Sequence, residues 1–211
     1  MKYNMLVVTD HTTHSATNSL YELSEALKND KRCKNIWVAS RGFEKNRAFF
    51  DADTNAAIYS TPVRKDFEYD PEGTYFTLHS IQIKKEDIDC ILVRMPQPLD
   101  KHFLLSLEKI VPPHRIINNP SGTIETSSKE FLLQVAHLCP EIQMCYSAEE
   151  AIEMSYSFEI VLKPLYMYKG LGIARLSPQY FWSGLDRYDA ENIHTLIPRE
   201  NFPMLAMRYL P

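Results

Sequence analysis

The sequence has no long apolar run and no excess of positive charge. No stretch approaches the roughly 18 uninterrupted apolar residues that a membrane-spanning helix needs. The apolar run near the N-terminus ends at Thr9, too early for the apolar region of a signal peptide. The formal net charge is -4 at pH 7, so the chain lacks the basic stripe that binds a nucleic-acid backbone. We therefore expect neither a membrane partner nor a nucleic-acid partner.

Paired cysteines and the common catalytic motifs are also lacking. None of the four cysteines has C-x-x-C spacing, so free thiols in a reducing cytoplasm are expected. The chain contains no G-x-S-x-G, P-loop, H-E-x-x-H or protein-kinase signature, which argues against the enzyme classes that depend on them. His11 and His14 have H-x-x-H spacing without a third ligand nearby, so they are interpreted as loop residues and not as a zinc site.

What is present fits a globular α/β protein. Apolar residues make up 45% and charged residues 24% of the 211 positions. In the first half, short apolar runs alternate with helical patterns, which predicts an α/β layer with a largely parallel sheet. The predicted strands are residues 5–9, 36–39, 90–93 and 115–117, and the predicted helices are residues 19–27 and 101–110. Residues 41–80 follow no regular pattern and receive no assignment.

The loop at residues 118–122 is the expected domain boundary. Beyond it, two capping boxes that begin at Ser127 and Ser147 predict helices to about residues 138 and 156. Strands are predicted at residues 159–163 and 173–176. The glycines of the segment between them suit either a flexible loop over phosphates or a simple hairpin turn.

Two lysines in this second half lie where an anion would stabilise them. Lys129, near the start of a predicted helix, opposes the helix dipole at a cost of about 0.3 to 1 kcal/mol, and helix N-termini bind phosphate. Lys163 ends an apolar strand, where an unpaired ammonium is costly. The alternatives are a solvated surface position for Lys129 and an ion pair with Glu153 or Glu159 for Lys163.

Four segments resemble bacterial glutathione synthetase, an ATP-grasp ligase, in the same order and at similar separations. They are residues 91–100 (ILVRMPQPLD), residues 117–120 (INNP) with Lys129 nine residues later, residues 161–165 (VLKPL) and residues 206–211 (AMRYLP). The resemblance implies an α/β protein in which a Rossmann-like pre-ATP-grasp domain (residues 1–119) precedes an incomplete ATP-grasp α+β lobe (residues 120–211).

The same resemblance implies the site residues. Lys129 and Lys163 would contact nucleotide phosphates, residues 168–172 would form a flap, and the last segment would line the adenine slot. The implied ATP-binding residues are Lys129, Lys163, Tyr168, Lys169, Gly170, Gly172, Met207, Tyr209 and Leu210. The predicted substrate-binding residues are Asp10, His14 and Arg94, of which the first two follow the first strand, where α/β sheets bind ligands. No catalytic residue is assigned.

By this resemblance, the expected function is that of a cytoplasmic, ATP-dependent carboxylate-amine ligase of the glutathione synthetase type. It would use ATP and Mg²⁺, form an acyl phosphate and act on small-molecule carboxylate and amine substrates, and the resemblance allows a homo-oligomer. The family's metal ligands are expected beyond Pro211, so this fragment alone is expected to be inactive.

Two departures from the family leave the substrate open. The flap lacks the family's glycine-rich DGMGG sequence, and residues 11–18 (HTTHSATN) replace a lysine-bearing segment. An ATP-grasp ligase with a different peptide or amino-acid substrate is one alternative. A non-catalytic module that binds a small ligand or a nucleotide is the other.

Overall fold

The computed structural model describes residues 2–168 and 170–211. The chain divides into two compact units, Met1–Ile124 and Glu125–Pro211, and each unit has a six-stranded sheet of its own. The predicted α/β class is confirmed. The division falls a few residues after the predicted boundary. The assignment of the units as a pre-ATP-grasp domain and a first ATP-grasp lobe stays a prediction.

The first unit is built on a mainly parallel sheet with strand order β4-β3-β2-β1-β5-β6. Strands β2, β1, β5 and β6 are parallel neighbours, whereas β3 and β4 are antiparallel additions at one edge. The strands are β1 (Tyr3–Thr9), β2 (Cys33–Ser40), β3 (Ile58–Pro62), β4 (Ile81–Ile83), β5 (Cys90–Val93) and β6 (Ile116–Ile117). The helices are α1 (Leu20–Asn29), α2 (Arg47–Phe50), α3 (Thr74–Leu78), α4 (Lys101–Ser106) and α5 (Pro120–Glu125).

The apolar run of β1 explains its central position. Leu6, Val7 and Val8 are fully buried, as expected for a parallel strand that is covered on both faces. Leu6 and Val8 belong to one hydrophobic cluster and Val7 to another, because successive side chains of a strand point to opposite faces. The strand therefore delivers the segment that starts at Asp10 to the carboxyl edge of the sheet.

The second unit is an antiparallel sheet with strand order β11-β10-β9-β8-β12-β7. Leu162 and Ala206 lie fully buried in its core, while the alternate residues Val161, Lys163 and Met207 are only half-buried. The strands are β7 (Ile142–Cys145), β8 (Ile160–Pro164), β9 (Ala174–Leu176), β10 (Tyr180–Ser183), β11 (Asp186–Asp189) and β12 (Met204–Arg208), and the helices are α6 (Ala148–Ser155) and α7 (Ile193–Leu196).

Two local predictions for the region between the sheets are wrong. The expected boundary loop is partly helical, since α5 begins at Pro120. The helix predicted from Ser127 instead begins after Ser128, whose side chain accepts the N–H of Glu130 at 3.2 Å. It is a 3-10 helix (Lys129–Leu138) with a kink at Val135, so Lys129 is its first residue. Within the described residues, no helix is long and apolar enough to cross a membrane.

Candidate functional site

Lys163 lies at the end of β8 on the half-buried face of the second sheet. Its Nζ is 3.4 Å from Sδ of Met207 on the neighbouring strand β12. Glu159, one of the two partners considered from the sequence, instead forms a 2.7 Å ion pair with Arg175. Among the described residues, no carboxylate lies within ion-pair distance of Lys163. A half-buried ammonium without a counter-charge favours a site for an external anion.

Lys129 holds the chain that follows β8. Its backbone N–H donates to the carbonyl of Leu165 at 3.1 Å. Its Nζ donates to the carbonyl of Pro164 at 2.7 Å and to the carbonyl of Met167, and it lies 5.1 Å from the ring centre of Tyr168. The residue is half-buried and clamps this turn, so it is not a freely solvated surface lysine. An ammonium has three N–H donors, and the carbonyls among the described residues take two of them, which leaves one for a ligand.

Lys163 lies close enough to Lys129 to affect the ionisation of Lys129. Burial lowers the pKa of Lys129, and the neighbouring charge of Lys163 lowers it further. Both groups flank the same turn, because Lys129 donates to Pro164, the residue that follows Lys163. The structure therefore brings these two predicted residues together, although 34 positions separate them in the sequence. An anion between two ammonium groups would offset their repulsion.

The predicted flap connects β8 to β9, which are antiparallel neighbours. Gly170 and Gly172 have positive φ angles of 80° and 68°. A Cβ atom on Gly172 would lie 2.9 Å from Cγ of Pro164 and 3.0 Å from Sδ of Met167, whereas a Cβ on Gly170 would meet nothing within 4 Å. The turn is thus packed at one glycine and open at the other. Tyr168 donates its hydroxyl to the carbonyl of Ser127, and Lys169 lies outside the described residues.

The predicted adenine-slot residues lie at the end of β12. Met207 contacts Lys163 as described, and the N–H of Tyr209 donates to the carbonyl of Glu159 at 2.8 Å. Leu210 is 63% exposed. The structure thus places Met207 and Tyr209 beside β8, the strand that carries Lys163, and leaves Leu210 open to a ligand.

In the first unit, a cavity of about 340 Å³ opens where β1 and β5 end. Its polar lining is neutral apart from Arg94, whose Nη2 donates to Oγ of Ser19 at 2.9 Å. The lining residues are Thr9, Thr13, His14, Asn18, Val93, Arg94, Met95, Pro96, Leu99, Asn118 and Thr123. No carboxylate is among these lining residues, so the cavity suits a ligand with negative charge. Of the predicted substrate-binding residues, His14 and Arg94 line it.

The low pKa of His14 keeps it neutral near pH 7, and its hydrogen bonds then define its tautomer. Oγ1 of Thr9 donates to the carbonyl of Arg94 at 3.2 Å, so it accepts from Nε2 of His14 at 2.9 Å. Nδ1 then accepts from the hydroxyl of Tyr21 at 2.9 Å. Burial, helped by the charges of His11 and Arg94, lowers the pKa of His14 from 6.5 to about 4. Both ring nitrogens are used inside the unit, and the ring forms a neutral wall of the cavity.

Asp10 is used within the fold in a similar way. It is 6% exposed and accepts hydrogen bonds from the N–H of Thr12 at 3.1 Å, the hydroxyl of Thr12 at 2.6 Å and Nε of Arg41 at 2.9 Å. Burial by itself would raise the pKa of Asp10, but the bonds from Thr12 and Arg41 outweigh it and lower the pKa. Asp10 is not among the residues that line the cavity.

His11 and His14 both make contacts within the first unit. Nδ1 of His11 lies 2.6 Å from Oγ of Ser40, and its ring stacks on Phe76 with centres 4.6 Å apart. In the part of the chain that the structure describes, no group of three or more His, Cys, Asp or Glu side chains is arranged to hold a metal ion.

Comparison with known proteins gives relatives of a single type among the curated proteins. The glutathione synthetase of Rhodopseudomonas palustris is 29% identical over 165 residues, which is 75% of this chain and 49% of the relative. That of Brucella melitensis biotype 1 is 28% identical over 125 residues, 57% of this chain and 40% of the relative. The chain is therefore similar to glutathione synthetases. It spans about half the length of these relatives or less, and no protein-family model matches it.

A solved structure supports the same fold. The D-alanine-D-alanine ligase of Helicobacter pylori aligns with 100% of this chain and 67% of its own, with a TM-score of 0.52 and 11% sequence identity. At this identity the likeness shows the fold alone. Together with the curated relatives, it confirms the predicted resemblance to a glutathione synthetase-like ATP-grasp ligase.

Sequence reasoning missed one residue on the face that carries Lys163. The guanidinium of Arg175 lies 4.0 Å from the ring centre of Tyr209 and 4.6 Å from that of Trp182. The signal was available, because Arg175, like Lys163, is a cation inside a short apolar strand. Such a cation requires a partner.

Proposed function

We propose that this chain is the substrate-side and first nucleotide-binding part of an ATP-dependent ligase of the glutathione synthetase type. Such an enzyme activates a carboxylate as an acyl phosphate, and an amine then displaces the phosphate to form an amide. One observation supports the proposal: Lys129 and Lys163 lie close together beside a glycine-bearing turn, and no described carboxylate pairs with either lysine, in a chain that is similar to glutathione synthetases.

A polyphosphate accounts for features that the fold alone leaves unexplained. Among the described residues, the hydrogen-bond partner of the Lys163 ammonium group is the sulfur of Met207, and a thioether is a weak acceptor. Lys129 keeps one donor beyond those given to the two carbonyls. Phosphate oxygens placed between the two ammonium groups would accept charge-assisted hydrogen bonds from both. The proposed role of these lysines is to bind and orient the phosphates.

The described residues contain no cluster of carboxylates that could bind Mg²⁺. The residues present therefore do not fit the metal, and no step of the proposed chemistry on this chain runs through it. What these residues supply is binding, orientation and charge neutralisation, on which phosphoryl transfer depends.

The cavity of the first unit is the proposed subsite for the carboxylate substrate. Arg94 is its charged group, and a guanidinium recognises a carboxylate through paired N–H donors. His14 remains neutral and contributes shape. Thr13, His14 and Asn18 belong to the HTTHSATN segment, which differs from the corresponding segment of the family. The proposed substrate is therefore a carboxylate, and γ-glutamylcysteine is one candidate.

Calorimetric titration with ADP tests the nucleotide site. Lys163→Ala should weaken binding by about 1.5 to 3 kcal/mol, or about 10- to 150-fold, because a charge-assisted hydrogen bond to phosphate is lost. Lys129→Ala should weaken it as well, but by less. Lys31→Ala, on an exposed residue of the first unit, is the matched control and should leave the affinity unchanged. Equal affinity in wild type, Lys163→Ala and Lys129→Ala would refute the phosphate site.

A further inference from the structure

A guanidinium is held between two aromatic rings on the second sheet. Arg175 on β9 contacts Trp182 on β10 and Tyr209 just after β12, at the distances given above. Its Nη2 donates to Oε2 of Glu159 at 2.7 Å, and its Nε is buried and has no partner among the described residues. We call these four residues, Glu159, Arg175, Trp182 and Tyr209, the arginine stack.

The strand register puts the arginine stack on the same face as Lys163. Val161 is paired with Arg175 on one side and with Met207 on the other. Paired residues point to the same face of a sheet, and so do residues two apart in one strand. Lys163, two residues after Val161, therefore shares this face with Arg175. The contact between Arg175 and Tyr209 extends the face to the end of β12.

The separation along β12 suits one extended ligand. Lys163 pairs with Leu205, and Tyr209 follows four residues later. At about 3.3 Å per residue, the two positions lie about 13 Å apart. This matches the reach of an extended nucleoside polyphosphate, with its phosphates at Lys163 and its base at Tyr209.

We propose that Arg175 is a positioning residue, which fixes the ring of Tyr209 where the proposed nucleotide site would receive the base. The inference rests on the proposed nucleotide-binding function. Tyr209 is half-buried near the chain end, so its ring would lose rotamer freedom on binding unless something held it beforehand. The planar guanidinium holds it by stacking, and Glu159 holds the guanidinium. A lysine has the charge but not the plane.

Two ligands distinguish the proposed role of Arg175 from that of the two lysines. ADP carries a base, whereas inorganic tripolyphosphate presents only phosphates. Arg175→Ala should weaken ADP binding about tenfold, the scale of a guanidinium–ring contact, and leave tripolyphosphate binding unchanged. Arg175→Lys should lose nearly as much affinity for ADP. Lys163→Ala should weaken both ligands.

The matched control is Arg187→Ala. Arg187 makes the same kind of contact, 4.6 Å from the ring centre of Tyr180, without touching Tyr209, so its loss should change neither affinity. Circular dichroism checks that each variant is folded. If Arg175→Ala does not fold, Tyr209→Leu should show the same selective loss of ADP affinity. Fluorescence adds a signature: in a Trp37→Phe background Trp182 is the remaining tryptophan, and ADP, but not tripolyphosphate, should change its emission.

The outcomes are distinct. Selective loss of ADP affinity in Arg175→Ala and Arg175→Lys supports the inference. Equal loss of both ligands, no loss in Arg175→Ala, or full ADP affinity in Arg175→Lys would overturn it and leave the nucleotide site standing. A wild-type protein that binds neither ADP nor tripolyphosphate would overturn the nucleotide site and this inference together.

Discussion

The two units use their charged and titratable groups in opposite ways. In the first unit, Asp10 accepts from Arg41 and Thr12, and both ring nitrogens of His14 have partners. In the second unit, Lys163 lies near Lys129, and neither lysine forms an ion pair with a carboxylate among the described residues. The first arrangement completes a fold, whereas the second leaves charge available to a ligand.

This difference bears on how a site is recognised in such a chain. A polar residue at the carboxyl end of a strand is well placed for a ligand, yet Asp10 is largely occupied by the protein itself. Among the described residues, the guanidinium of Arg94 donates to the hydroxyl of Ser19, and Arg94 lines the cavity, where its other donors can meet a ligand. A candidate binding residue is therefore recognised by donors or acceptors that lack a partner in the protein, more than by its place at the end of a strand.

The largest expected effect breaks the internal network of the first unit. Asp10→Ala should lower the free energy of unfolding by about 2 to 4 kcal/mol, because Arg41 and Thr12 lose a buried partner. Lys163→Ala removes an ammonium without a carboxylate partner and should change stability by no more than about 0.5 kcal/mol. Urea unfolding measures both, with Trp37 reporting on the first unit and Trp182 on the second.

Asp30→Ala is the control for Asp10. Its ion pair with Arg32 is exposed to solvent, so the loss of Asp30 should destabilise the protein much less than the loss of Asp10. If Asp10→Ala lost no more stability than Asp30→Ala, Asp10 would not stabilise the fold. Its predicted role in substrate binding would then be supported.

Buried strands were predictable from the sequence. The strand at residues 90–93 is found as β5 with the same bounds, and the core of β1 lies where its apolar run indicates. Strand β3 was missed because its buried residues include the polar Ser60 and Thr61, and β4 was missed because it is a short strand at the edge of the sheet. Ile81 and Gln82, for example, are exposed, so the segment lacks an apolar pattern.

The candidate site was predictable only in part, and for physical reasons. Lys163 stood out because a cation ends an apolar strand, which is a local signal. Asp10 pairs with Arg41, which is 31 residues away in the sequence. A pairing over this distance has no signal in the sequence around Asp10. The cap of the 3-10 helix was placed one residue early, since Ser127 and Ser128 are adjacent and either serine can cap a helix.

A smaller effect is expected in the turn of the second unit. Gly172→Ala should destabilise this unit by about 1 to 3 kcal/mol, because its positive φ angle and the contacts with Pro164 and Met167 leave no room for a Cβ. Gly170→Ala has the same kind of backbone but open space, so it should cost only about 1 kcal/mol. Urea unfolding followed by Trp182 measures both. Equal costs would show that the turn does not pack at Gly172 as described.

The smallest effect is a pH dependence confined to the first unit. The pKa of His14 falls from 6.5 to about 4 in the folded chain, so the unfolded chain binds its proton more readily. The stability that this neutral histidine contributes is complete above pH 6.5 and is lost as the pH falls toward 4. Between pH 7 and pH 5 the loss should be on the order of 1 kcal/mol, once solvent screening is allowed for. Urea midpoints reported by Trp37 should therefore fall over this range by more in wild type than in His14→Gln, which cannot titrate. An identical pH profile in the two proteins would show that His14 is not held neutral between Thr9 and Tyr21, and its ring would then be available to a substrate in the cavity.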